Sequence, residues 1–158
     1  MAAPAMSHLI CSMALVVLIL VLPAFFVMER DNIAEEMTIR ELTEISDYTS
    51  NTLENLFLLA NSTNSGELTL TKEMLYLPLT VEGSPYILEI TSNDGENASK
   101  VTASLKDKSS VAGSSWLVPG LMITDNHFLE VTNHTVVARC QRDATGFYIS
   151  IEKGETAS

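Results

Sequence analysis

Residues 9–28 read LICSMALVVLILVLPAFFVM, twenty consecutive positions without a charged side chain. As an α-helix rising about 1.5 Å per residue, the run reaches about 30 Å, the thickness of a bilayer's hydrocarbon core. Ser12 is its one overtly polar residue, and Pro23 falls near the far end, where a kink is tolerated. A secretory signal has a shorter apolar core followed by small residues at a cleavage site. Here the core is followed by Pro23-Ala24-Phe25-Phe26-Val27-Met28-Glu29, with no small-x-small pattern. The run therefore reads as a retained transmembrane helix over 9–28, preceded by an N-terminal segment over 1–8. A removed signal on a secreted enzyme is the competing possibility.

Moving outward, the stretch from Glu29 to Ala60 holds neither Gly nor Pro, so nothing interrupts a helix. Leu42, Ile45, Thr49, Thr52, Leu56 and Leu59 recur at three-four spacing, flanked by Ile33, Met37, Tyr48, Leu53 and Phe57. That period predicts an amphipathic helical stalk over 29–60 continuing from the membrane span. The apolar stripe has two readings: it packs on the chain's own sheet, or it forms a coiled-coil seam with neighbouring copies. Ser12 and Ala14 in the span, with Leu42, Ile45 and Leu56 in the stalk, are the candidates for helix self-association, the first two because small residues permit close approach in lipid. Eight acids, Glu29, Asp31, Glu35, Glu36, Glu41, Glu44, Asp47 and Glu54, face only Arg30 and Arg40. They read as a solvated face, the sharper alternative being a repulsive collar that keeps identical chains in one packing register. A polar stretch, Asn61 to Gly66, ends the helix.

Beyond Gly66 the period changes to two. Leu68 and Leu70 alternate with Thr69 and Thr71, and Tyr86, Leu88 and Ile90 share one face of a strand. Pro78 within Leu75-Tyr76-Leu77-Pro78-Leu79 marks an edge or a bend. Ser92-Asn93-Asp94-Gly95 predicts a turn into a strand carrying Val101, Ala103 and Leu105, and Trp116 to Gly120 predicts a bend in which Trp116 is a core or bend anchor, the alternative being a binding platform. Val136–Cys140 and Phe147–Ile151 flank Asp143-Ala144-Thr145-Gly146 as a hairpin. Short strands at roughly ten-residue spacing predict a small antiparallel β-sandwich-like domain over 66–152, with a frayed tail over 153–158. The fold class is thus α+β: a long N-terminal transmembrane and amphipathic helix followed by that β domain.

Charge and motifs narrow the function. A net charge of −11 repels a phosphate backbone, so nucleic acid is excluded as a partner. Aromatic content of 6% is low for a lectin-like or peptide-binding groove. Cys11 and Cys140 belong to different phases and do not pair with each other. His8, His127 and His134 match no zinc spacing, and no Gly-rich phosphate loop, Gly-x-Ser-x-Gly elbow or EF-hand is present. No catalytic residue, metal site or cofactor is expected. Three acceptor triplets, at Asn61, Asn97 and Asn133, are candidates for N-glycosylation. With Lys and Arg giving almost no topological vote, they favour a single-pass protein of the cell membrane whose C-terminal domain lies outside.

An apolar helix running unbroken into an amphipathic stalk, then a Ser/Thr/Asn-rich β domain containing Gly83-Ser84-Pro85-Tyr86-Ile87-Leu88-Glu89-Ile90, resembles archaeal type IV pilin-like proteins. The resemblance covers the span Leu9–Met28, the stalk Arg30–Ala60 and that β segment, at the level of architecture. It implies a non-catalytic cell-surface filament or adhesion subunit whose helices bundle with copies of themselves or related pilin-like subunits, and whose glycosylated β domains face outward. The alternative is a monomeric single-pass ectodomain that binds an extracellular partner. Two departures stand beside the resemblance: Ala5-Met6-Ser7-His8 carries no Lys or Arg before the apolar run, and the first part of the run lacks the glutamate of bacterial pilins.

Overall fold

A computed structural model of the chain describes residues 3–63, 66–93, 98–124, 127–132 and 134–154. One helix, α1, spans Ala3–Ser62 with Pro23 inside it. Among the described residues it is followed by eight strands: β1 Leu68–Met74, β2 Tyr86–Asn93, β3 Ala98–Leu105, β4 Ala112–Trp116, β5 Leu121–Ile123, β6 Phe128–Val131, β7 Val136–Arg142 and β8 Phe147–Lys153. The α+β class expected from the sequence is the observed one. The chain divides into two units, Met1–Met37 and Thr38–Ser158, so the helix belongs to both.

In the first unit, every residue from Ile10 to Met37 is exposed, including the whole run Leu15–Leu22. This segment is long and apolar enough to cross a membrane.

In the second unit, eight strands form two four-stranded sheets, ordered β1-β7-β8-β5 and β4-β3-β2-β6. All pairings are antiparallel except β5 with β8, where Leu121 to Ile123 run parallel to Phe147 to Ile149. A strand three residues long offers little pattern, so the sequence reading had no strand there. The expected alternation holds: Tyr86, Leu88 and Ile90 of β2, Val101 and Ala103 of β3, Val136, Ala138 and Cys140 of β7, and Ile149 and Ile151 of β8 are all buried. The β7–β8 hairpin closes at Asp143, whose Oδ1 accepts bonds from Thr145 N–H, Thr145 Oγ1–H and Gly146 N–H. The segment after β1 is a turn and not a strand, in keeping with Pro78. Of the expected turn at Ser92–Gly95, Ser92 and Asn93 belong to β2, while Asp94 and Gly95 lie outside the described residues.

The helix from Thr38 onward is part of this core. Thr38, Leu42, Ile45, Ser46, Thr49, Ser50, Thr52, Leu53, Leu56 and Ala60 are buried, an arc of about 160° at 3.6 residues per turn. Leu59, read as part of the stripe, is 58% exposed, and Ala60 takes the inward place. The stripe predicted from Leu and Ile is widened on one flank by Ser46, Ser50 and Leu53. Those serines bond to sheet backbone. Ser46 Oγ donates to Gly113 O (3.0 Å) and accepts from Ala103 N–H (3.0 Å), bridging a pair of residues that face each other across β3 and β4. One and two turns on, Ser50 Oγ donates to Trp116 O (2.9 Å) and Glu54 Oε1 accepts from Val118 N–H (3.0 Å). Polar groups at i, i+4 and i+8 thus bond to backbone of β3, β4 and the segment after β4.

Such close approach requires a residue without a side chain on the sheet. A Cβ at Gly113 would collide with the helix backbone at Leu42 and Thr43. The other sheet meets the end of the helix, where the Phe57 and Phe147 rings pack edge to face at 4.9 Å and Arg142 Nη1 donates to Ala60 O (3.4 Å) and Thr63 O (2.8 Å). An arginine on terminal carbonyls serves as a C-terminal cap.

Candidate functional site

Two kinds of surface remain once the core is assigned: the bare apolar helix of the first unit, and recesses on the second. The first is set by composition. Leu15, Val16, Val17, Leu18, Ile19 and Leu20 carry β-branched or γ-branched side chains all round the helix, with no polar face to turn to water. A helix apolar on every side is stable only in lipid or against other apolar surface. Ser12 and Ala14, two of the self-association candidates, lie on this exposed helix.

The other three candidates do not. Leu42, Ile45 and Leu56 are 0%, 4% and 5% exposed, held in the chain's own core. Of the two readings left open for the stripe, packing on the chain's own sheet accounts for these residues, so no seam between copies is built from them. The reason is geometric: the i, i+3, i+7 pattern is the same for a seam and for a sheet-facing helix, and only Gly113 and Ser46 distinguish the two.

Of the acceptor asparagines, Asn61 is exposed in the last turn of α1, where Ser62 Oγ and Thr63 Oγ1 both donate to Leu59 O. The surface loop expected of an acceptor triplet is at this position a helix end. Asn97 and Asn133 lie outside the described residues.

Groups able to do chemistry are scattered. Among the described residues no three His, Cys, Asp or Glu side chains converge as a metal site. His127 is exposed and His134 half-buried, and Asp125 lies outside the described residues. Cys140 is buried, and burial pushes its thiol above the usual range, away from the reactive thiolate. Asp143 is held below the ordinary carboxylate value, first by the Thr145 hydroxyl and then by backbone N–H groups, as a turn residue would be. Trp116 is a correction to the expected anchor: it is 57% exposed, with Lys100 Nζ 5.8 Å from the ring centroid. As the last residue of edge strand β4, it alternates outward while Leu117 takes the buried place.

Recesses mark the second unit. A cleft of about 680 Å³ beside β5 is lined by Ser92, Ser99 and Pro119–Ile123, and an adjoining one of about 370 Å³ by Glu89–Ser92, Ile123, Thr124 and His127. The third, about 210 Å³, lies between α1 and the loop after β1, lined by Glu41, Glu44, Ile45, Tyr48, Tyr76, Leu77 and Pro78. The sequence reading passed over it. Its signal was faint: a tyrosine in an apolar run broken by proline, facing a helix thirty residues earlier. No protein-family model, curated protein or solved structure matches this chain.

Proposed function

We propose that the protein is a non-catalytic, membrane-anchored cell-surface subunit, with α1 retained through Met28 as a single-pass anchor and the β domain displayed outside as part of a pilin-like filament or adhesion assembly. One observation carries this reading: within a single unbroken helix, Ile10–Met28 is apolar on all sides and wholly exposed, while Thr38–Ala60 is the core of a β domain. Burial of a side chain such as Leu or Ile is worth about 1.5–3 kcal/mol, so some twenty uncovered apolar residues are a strong drive toward lipid or neighbouring helices. The acids that follow, Glu29, Asp31, Glu35 and Glu36, suit the watery side of a bilayer.

The second reading, a monomeric anchor with a binding ectodomain, is favoured by the burial of Leu42, Ile45 and Leu56. It leaves Ser12 and Ala14 as the self-association candidates that are not held in the chain's own core. Intact-mass measurement and N-terminal sequencing of native protein, followed by electron microscopy of cell-surface preparations, test both. A mature chain that keeps residues 9–28 and appears in filaments supports the first reading. The same chain dispersed in membrane supports the second, and a mature chain beginning after Met28 and soluble without detergent overturns both.

A further inference from the structure

The recess between α1 and the loop after β1 has a chemical character of its own. Tyr76 is 85% exposed, and its ring stands perpendicular to that of Tyr48 with centroids 6.2 Å apart. One wall is the α1 segment Glu41–Tyr48, which contributes two carboxylates and a ring from successive turns; the other is Tyr76–Pro78. Both walls are held in place. The Tyr86 hydroxyl, on a fully buried side chain, donates to Pro78 O (2.8 Å), and reciprocal backbone bonds between Val81 and Ser84 (both 2.9 Å) close the loop behind it.

The carboxylates are not equally engaged. Glu44 is paired with Arg40 at 3.4 Å across an exposed surface, where such pairs contribute little. Glu41 has no ion-pair partner among the described residues, and after burial, the larger cause, its charge helps push the Tyr86 hydroxyl's pKa up. Two aromatic rings and a carboxylate without an ion-pair partner line one recess, and together they attract positive charge through the ring quadrupole and through the Coulomb term. A hard metal ion would find too few ligands, since no three metal-binding side chains converge among the described residues.

We infer that this recess binds an organic cation, a guanidinium or alkylammonium group, between Tyr76 and Glu41. About 210 Å³ accommodates such a head group together with a few carbons of its stem. The cation comes either from a free small molecule or from a basic side chain on a partner protein, and the recess recognises the same chemistry in both. The inference does not depend on how the helix is anchored.

Isothermal titration calorimetry on the full chain in detergent micelles tests it, with arginine amide and tetramethylammonium chloride as probes and sodium chloride of equal ionic strength as the blank. The expected result is saturable heat with at least one organic cation. Tyr76→Ala weakens it by about three- to fivefold, and Tyr76→Phe leaves it within about twofold, because the ring face is kept. Glu41→Gln also weakens it, and added salt shrinks the gap between Glu41→Gln and the parent chain. Because Tyr76 is on the surface, its variants keep the fold, which far-ultraviolet circular dichroism verifies. An acetyl-Gly-Arg-Gly-amide peptide that binds more tightly than arginine amide points to a partner's side chain, and equal binding points to a free cation. Heats indistinguishable from sodium chloride, or binding unchanged in Tyr76→Ala, overturn the inference.

Discussion

The two halves of α1 share a backbone conformation and differ in almost everything else. Ile10–Met37 is exposed throughout, its first twenty residues nearly all apolar, whereas Thr38–Ala60 mixes Leu and Ile with serines, threonines and glutamates and supplies ten buried positions. The half richer in hydrophobic residues is the one the β domain leaves bare. Hydrophobicity alone thus does not say which part of a helix a protein buries in its own core. What decides it is whether the opposing surface is shaped to receive the helix, and here Gly113 and the serine-bonded β3–β4 pair receive only the second half.

Substitutions matched across the two halves sharpen that contrast. Leu42→Ala opens a cavity in a fully buried site and is expected to cost about 3–5 kcal/mol of β-domain stability. Leu18→Ala, the same change on exposed helix, is expected to move it by less than about 0.5 kcal/mol. Thermal or urea unfolding followed by circular dichroism in detergent measures both, and equal effects would erase the distinction. Gly113→Val comes next: the new side chain must displace helix backbone at Leu42 and Thr43, an overpacking cost of about 3 kcal/mol, read as a lowered unfolding midpoint. Ser46→Ala leaves Ala103 N–H and Gly113 O without their bridge, a loss of about 1–3 kcal/mol in the same assay.

How far the sequence carried the fold follows from these residues. The long apolar helix and the strands β2, β3, β7 and β8 were legible because their signals are local, in a twenty-residue apolar run and a period of two. The partner of the helical stripe was not, because a sheet-facing stripe and a coiled-coil seam impose the same spacing on Leu42, Ile45 and Leu56. Gly113 and Ser46 resolve it only through a contact made across 67 positions. The recess at Tyr76 was hidden for the same reason, since Tyr48 and Tyr76 come from different elements. Trp116 was misread because a large aromatic beside a bend favours burial on average, while its parity on an edge strand turns it outward.

The smallest expected effect lies in the turn between β7 and β8. Asp143 is held below the ordinary value of 3.8 in the folded chain, so its contribution is present above that value and is lost as pH falls through the lower folded value. Asp143→Asn is therefore expected to flatten the acid limb of the stability–pH curve and to leave the helix's two halves as different as before. Unchanged acid sensitivity would remove Asp143 from that account.

The most direct test of the contrast uses Cys11, which is exposed while the chain's other cysteine, Cys140, is buried. On a Cys140→Ala background, a nitroxide attached to Cys11 in protein reconstituted into lipid vesicles can be compared with one at Asp107→Cys in a chain that also carries Cys11→Ala, position 107 lying in an exposed bend of the β domain. Collisional relaxation with oxygen and with a water-soluble nickel chelate should report an oxygen-rich, nickel-poor site at Cys11 and the reverse at position 107. Equal nickel access at the two sites would contradict the claim that the first half of α1 has lipid for its solvent.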